Sequence, residues 1–181
     1  MAVSYSRYEE IKSIVVDTLK SSNIVSVPIC CFQLAKALKI ECIPYSSLSP
    51  KKQSACLEFS DEGFTLDDTI YYNDTQIDTR IRFTIMHEIG HIVLEHTEDD
   101  KNSDLEANFF ARYILVPPVL VYAIDRAGNV SEEQIRHTFN VSHPVAEYSY
   151  DYYNKWTNHI NFGLPEVDVA IYNHFYRNQA M

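Results

Sequence analysis

The sequence predicts an α+β domain in which a small sheet lies beside groups of helices. Apolar residues recur at helical spacing near both ends of the chain, whereas short segments between residues 40 and 72 are rich in β-forming residues and bounded by turn residues. Hydrophobic residues make up 46% of the 181 positions and charged residues 22%. These proportions are typical of a globular protein that buries a sizeable core, and they argue against a disordered chain.

The first half of the chain is predicted to hold two helices and the sheet. Helical periodicity covers residues 4–20, and Ser26-Val27-Pro28 is typical of the start of a second helix that runs to residue 38. Short connections favour an antiparallel sheet. Its predicted strands are residues 40–45, 55–59 and 69–72.

The second half is predicted to be helical, with a polar loop at residues 97–103 and an unassigned tail at 162–181. The predicted helices are residues 79–96, residues 104–116, a helix that Ser131 caps and that runs to residue 139, and residues 143–158. We expect a single domain. Its parts are an N-terminal helix (1–27), a core (28–128), and a C-terminal helical segment and tail (129–181).

The chain is acidic, with a net charge of −10 from 25 acidic and 15 basic side chains. This charge disfavours direct nucleic-acid binding, which needs clustered Lys and Arg, but it is compatible with a basic protein as partner. No uninterrupted apolar run reaches the roughly 20 residues that a membrane helix needs. The N-terminus lacks a signal-peptide pattern, so we expect a cytoplasmic protein without membrane contacts.

The chemically informative residues are His87-Glu88-Ile89-Gly90-His91, a His-Glu-x-x-His motif on a predicted helix. His87 and His91 would project from one face, about 40° and about 6 Å apart, which suits one zinc ion. Glu88 lies about 100° from His87. It can therefore take a proton from a water molecule whose pKa a metal ion lowers.

A catalytic zinc site needs a third protein ligand and one open position. His96 is expected to point to another side of the helix, and Glu95 lies too far along a straight helix. A ligand from the next helix would close the site better. Glu106 is the first candidate and Asp104 the second.

Several stretches of the sequence are similar to the ImmA/IrrE family of zinc metallopeptidases, over about residues 28–150. They are residues 82–91, which contain the motif; Glu-Ala-Asn-Phe-Phe-Ala at 106–111; Leu-Val-Pro at 115–117; Ile-Tyr-Tyr-Asn at 70–73; and Phe-Asn-Val-Ser at 139–142.

The resemblance implies a zincin-like core that binds one zinc ion per chain. Its ligands would be His87, His91 and Glu106, with water in the fourth position and Glu88 as the catalytic residue. A group that stabilises the transition state is also required near the metal. The candidates for that group are Tyr113, His137 and His143.

The resemblance also implies a function. Relatives of this size often belong to phages or mobile elements, and they relieve repression by cleaving a helix-turn-helix repressor that is often encoded beside them. We therefore expect a zinc-dependent endopeptidase with such a repressor as its protein substrate. The alternative is a binding module that uses the same fold to sequester the repressor without cleaving it.

Overall fold

The computed structural model describes residues 3–97, 100–125, 128–160 and 163–177. The α+β prediction is confirmed. The sheet consists of β1 (Glu41–Pro44), β2 (Gly63–Leu66) and β3 (Thr69–Tyr72). The helices are α1 (Tyr5–Lys20), α2 (Cys31–Ala37), α3 (Pro50–Phe59), α4 (Asp78–Val93), α5 (Lys101–Leu115), α6 (Pro118–Ile124), α7 (Glu132–Phe139), α8 (His143–Thr157) and α9 (Glu166–Tyr176).

The sheet is mixed, with strand order β1-β3-β2. β2 pairs with β3 in the antiparallel sense, but β1 pairs with β3 in parallel, with Cys42 opposite Ile70. The prediction of an antiparallel sheet is therefore wrong for β1. The chain between β1 and β3 contains α3 and β2, which is long enough for the crossover that a parallel pair requires.

The predicted strand at residues 55–59 is wrong, because these residues form the end of α3. Ser49 at the N-cap and Pro50 at the first helical position are typical of a helix start. β2 was not predicted from the sequence. It is joined to β3 by Asp67 and Asp68, whose φ angles of 48° and 57° are typical of a tight hairpin turn.

Two helix starts also differ from the prediction, and a further helix lies in the tail that was left unassigned. α2 begins only at Cys31, because residues 26–28 form a bend and Ile29 is buried before the helix starts. α5 begins at Lys101, because the Asp100 carboxylate caps it by accepting two backbone N–H bonds. α9 occupies much of the unassigned tail. Positions 98–99 of the predicted loop, and positions 162 and 178–181 of the tail, lie outside the described residues.

α4 ends at Val93 rather than at residue 96, because the chain reverses there in a Schellman motif. Glu95 adopts a left-handed conformation with φ of 57° and donates its N–H to the Ile92 carbonyl. The N–H of His96 then donates to the His91 carbonyl over 3.0 Å. This reversal brings His96 back beside the last turn of α4, so the expectation that His96 points to another side of the helix is wrong.

α4 and α5 lie side by side at the centre of the fold, and α4 also contacts β2 and β3. Ile89 of α4 and Phe110 and Ile114 of α5 are fully buried. The segment Lys101–Ile124 is apolar and long enough to cross a membrane, but 72% of its most apolar window is buried inside the fold. Two helices of the core, α5 and α6, therefore account for this apolar segment.

The close approach of α4 and α5 depends on Gly90, inside the His-Glu-x-x-His motif. A Cβ atom at Gly90 would lie 3.2 Å from the Ala107 Cα and 3.1 Å from the Phe110 Cδ1. We expect Gly90→Ala to lower the free energy of unfolding by about 1–2 kcal/mol, since overpacking outweighs the gain in helix propensity. Urea unfolding of the metal-free protein measures the change, and unchanged or increased stability would contradict the packing argument.

Candidate active site

His87 and His91 project from the same face of α4, as their four-residue spacing predicts. Their Nε2 atoms lie 3.0 Å apart, and both side chains are 18% exposed. Two imidazole lone pairs at this distance repel each other unless a proton or a cation lies between them. The pair is therefore arranged to share a proton or to hold a metal ion.

Asp104 in the first turn of α5 completes this pair as a group of three possible ligands. Its Oδ1 atom lies 3.8 Å from the His87 Nε2 and 3.6 Å from the His91 Nε2. The donor atoms of the three residues all lie within 4.8 Å of one another. Asn108, one turn further along α5, also lies beside His87.

The geometry of this group fits a tetrahedral zinc site. Ligand atoms at about 2.0–2.1 Å from zinc are separated by about 3.3–3.4 Å from one another. The observed separations of 3.0, 3.6 and 3.8 Å lie around this value. Burial, followed by the neighbouring His91, lowers the pKa of His87 to about 4. His87 is therefore neutral at pH 7, which is the form that binds metals.

Glu88 is held by the edge strand of the sheet. The Thr65 hydroxyl on β2 donates to the Glu88 Oε2 over 2.8 Å. Tyr45 lies near the same carboxylate, and burial, with contributions from Cys56 and Glu88, raises the pKa of Tyr45 to about 12. Glu88 is thus fixed next to the histidine pair and outside the group of three possible ligands.

Glu106 does not join this group, although it is on the same helix as Asp104. Its Oε2 accepts from Arg7 of α1 at 2.8 and 2.9 Å and lies 3.1 Å from the His96 Nε2. Burial acts to raise the pKa of Glu106, but the hydrogen bonds from Arg7 and His96 outweigh it and lower the pKa. Glu106 therefore connects with the histidine pair indirectly: it contacts His96, and His96 contacts His91.

The three residues considered for transition-state stabilisation all have partners elsewhere. The Tyr113 hydroxyl is buried and donates to Asp168, on α9. His137 contacts Glu133, and His143 lies 4.0 Å from Glu132. Nothing in the described contacts connects these three side chains with His87 or His91.

The profile of the Peptidase_M78 family, described as the IrrE N-terminal-like domain, matches residues 46–150, which is more than half of the chain. The chain belongs to this peptidase family. The Peptidase_M78 match contains β2, β3, α4 and α5, so it includes the histidine pair, Glu88 and both candidate carboxylates. A comparison with curated protein sequences finds no match.

The predictions from the sequence missed Thr65, inside the Peptidase_M78 match, and Arg7, outside it, and they placed His96 wrongly. Thr65 was missed because β2 was not predicted, although Gly63 and the Asp67-Asp68 pair mark its two ends. No local pattern connects Arg7 with Glu106, which is 99 residues away along the chain.

Proposed function

We propose that this protein is a zinc-dependent endopeptidase, in which His87, His91 and Asp104 bind zinc and Glu88 is the general base. The observation that carries the proposal is the convergence of these three donor atoms within 4.8 Å. The family resemblance implies Glu106 as the third zinc ligand, whereas we propose Asp104. The reason for the change is that Glu106 already binds Arg7 and His96.

Zinc, Glu88 and Thr65 would each have a separate role in the reaction. Zinc in this position would act as a Lewis acid that polarises the scissile carbonyl and acidifies water. Glu88 takes the proton from the attacking water molecule and passes it to the leaving amine. The Thr65 hydroxyl fixes one Glu88 oxygen, which restricts the direction in which the carboxylate accepts that proton.

For the substrate, we propose a helix-turn-helix repressor of a phage or mobile element. The similarity to the ImmA/IrrE family supports this substrate class. The net charge of −10 supports it independently, because an acidic enzyme attracts a basic DNA-binding protein. The same substrate implies a cytoplasmic site of action.

The test combines metal analysis with a cleavage assay. We expect about one zinc ion per chain in the wild type and loss of zinc from His91→Ala. The zinc-loaded protein is then incubated with purified helix-turn-helix repressors, and intact-mass spectrometry is expected to find discrete fragments of one of them. A chelator should abolish cleavage, and added zinc should restore it.

Two outcomes would contradict the proposal. Absence of zinc after reconstitution would show that the motif does not form a metal site. A stoichiometric complex with an uncleaved repressor, formed equally well by Glu88→Gln, would identify the protein as a binding module.

A further inference from the structure

A continuous chain of polar contacts leads from His91 to α1. The Nδ1 atom of His91 lies 3.0 Å from the Nδ1 of His96, and the Nε2 of His96 lies 3.1 Å from the Oε2 of Glu106. Arg7 donates to the same Glu106 oxygen from Nε and Nη2. We call His96, Glu106 and Arg7 the support chain.

The support chain is largely shielded from solvent. The exposed fraction is 9% for the His96 side chain, 15% for Glu106 and 27% for Arg7. Hydrogen bonds in such surroundings hold their geometry better than exposed ones, because water competes less for the donors and acceptors. The Schellman motif after α4 fixes the backbone of His96 in turn.

The positions of the protons along this chain follow from the carboxylate at its end. A carboxylate only accepts hydrogen bonds, so the proton of a neutral His96 must be on Nε2. The Nδ1 of His96 then has a lone pair and accepts the Nδ1 proton of His91. The Nε2 of His91 is left with its lone pair, and this atom faces His87 and Asp104.

We infer that His96 and Glu106, with Arg7, are positioning residues that hold His91 in the tautomer and orientation needed to bind the metal through Nε2. This inference rests on the proposed metallopeptidase function. Partners of this kind behind a metal-binding histidine usually affect metal affinity 10- to 100-fold. By this inference α1 supports the metal site through Arg7, although α1 lies outside the matched residues 46–150.

The first test reads the tautomers directly and needs neither zinc nor substrate. Long-range ¹H–¹⁵N spectra of the metal-free protein at about pH 8, where an unperturbed histidine is neutral, distinguish the two ring nitrogens. We expect the proton of His91 on Nδ1 and that of His96 on Nε2. A wild-type spectrum with the His91 proton on Nε2 would overturn the inference.

The second test measures zinc affinity by competition with a chelating dye. His96→Phe keeps a ring but removes both nitrogens, and it should weaken zinc binding about 10- to 100-fold. His96→Gln can accept through its oxygen and donate through its nitrogen, so it should restore most of the affinity. Glu9→Gln, which breaks the Glu9–Lys12 ion pair on the same helix as Arg7, is the matched control and should bind zinc like the wild type.

The outcomes separate this inference from the proposed function. If the wild type binds no zinc, the proposed function fails. If the wild type binds zinc and His96→Phe binds it equally well, only the positioning role is overturned. Should His96→Phe fail to fold, Arg7→Met remains informative, because Arg7 is partly exposed and its loss should weaken zinc binding more than Glu9→Gln does.

Discussion

Replacement of Glu88 by Gln is expected to reduce cleavage of a protein substrate about 10²- to 10⁴-fold and to leave the zinc content unchanged. Glutamine has the shape of glutamate, and its oxygen can still accept from the Thr65 hydroxyl. It cannot take a proton from water, so it removes the proposed base while leaving His87, His91 and Asp104 untouched. Elemental analysis and the cleavage rate are measured on the same preparation.

Thr65→Val is the companion variant, because it removes the hydroxyl that fixes Glu88 without changing the size of the side chain. We expect zinc binding to be unchanged and cleavage to fall less than in Glu88→Gln, since the base is still present but less well oriented. Wild-type cleavage by Glu88→Gln would remove Glu88 from the mechanism. Loss of zinc from that variant would place Glu88 among the ligands.

The second large effect is expected at Asp104, the carboxylate that we propose as the third zinc ligand. Asp104→Asn should weaken zinc binding by about 100-fold or more, because a direct ligand contributes more than the outer groups whose loss costs 10- to 100-fold. Glu106→Gln should have a smaller effect, because the amide oxygen can still accept from His96. Competition titrations of both variants with the same dye give the comparison.

Which of the two variants loses more zinc affinity decides whether Asp104 or Glu106 is the third ligand. Asp104 is exposed and Glu106 is half-buried, so only the Glu106→Gln substitution could disturb folding. A thermal melt of the metal-free Glu106→Gln variant tests whether it is folded. If Glu106→Gln is folded and loses zinc while Asp104→Asn retains it, Glu106 is the third ligand, as the resemblance implies, and the positioning role proposed for it is wrong.

The histidine pair could be predicted from the sequence because it depends only on the period of one helix. Four-residue spacing brings His87 and His91 to one face of α4 wherever that helix begins. The helical spacing of apolar residues likewise predicted a helix at residues 79–96, and Ile89 of α4 is fully buried.

The surroundings of the pair could not be predicted in the same way, because they depend on where the helix stops. His96 was assigned on the assumption of a straight helix, whereas Glu95 reverses the chain. On α5, Asp104 and Asn108 are four residues apart and share a face, but Glu106 is about 200° away from Asp104. Helical geometry alone therefore separates the two carboxylates, although only the fold shows which of them faces α4.

α5 is held from two sides by segments that lie outside the matched residues 46–150. On one side, α1 contributes Arg7 to Glu106 and packs Tyr8 against Phe109. On the other side, Asp168 of α9 accepts from the Tyr113 hydroxyl and also from the Trp156 indole.

An excised fragment of residues 46–150 would therefore lose contacts on both sides of α5. It would uncover Phe109 and Tyr113, which are 6% and 3% exposed in the whole chain, at a cost of about 1.5–3 kcal/mol for each large apolar side chain. The stretch that is recognisable as family sequence is thus smaller than the unit that can be expected to fold by itself. Expression of this peptidase for structural or enzymatic work should keep both flanking helices.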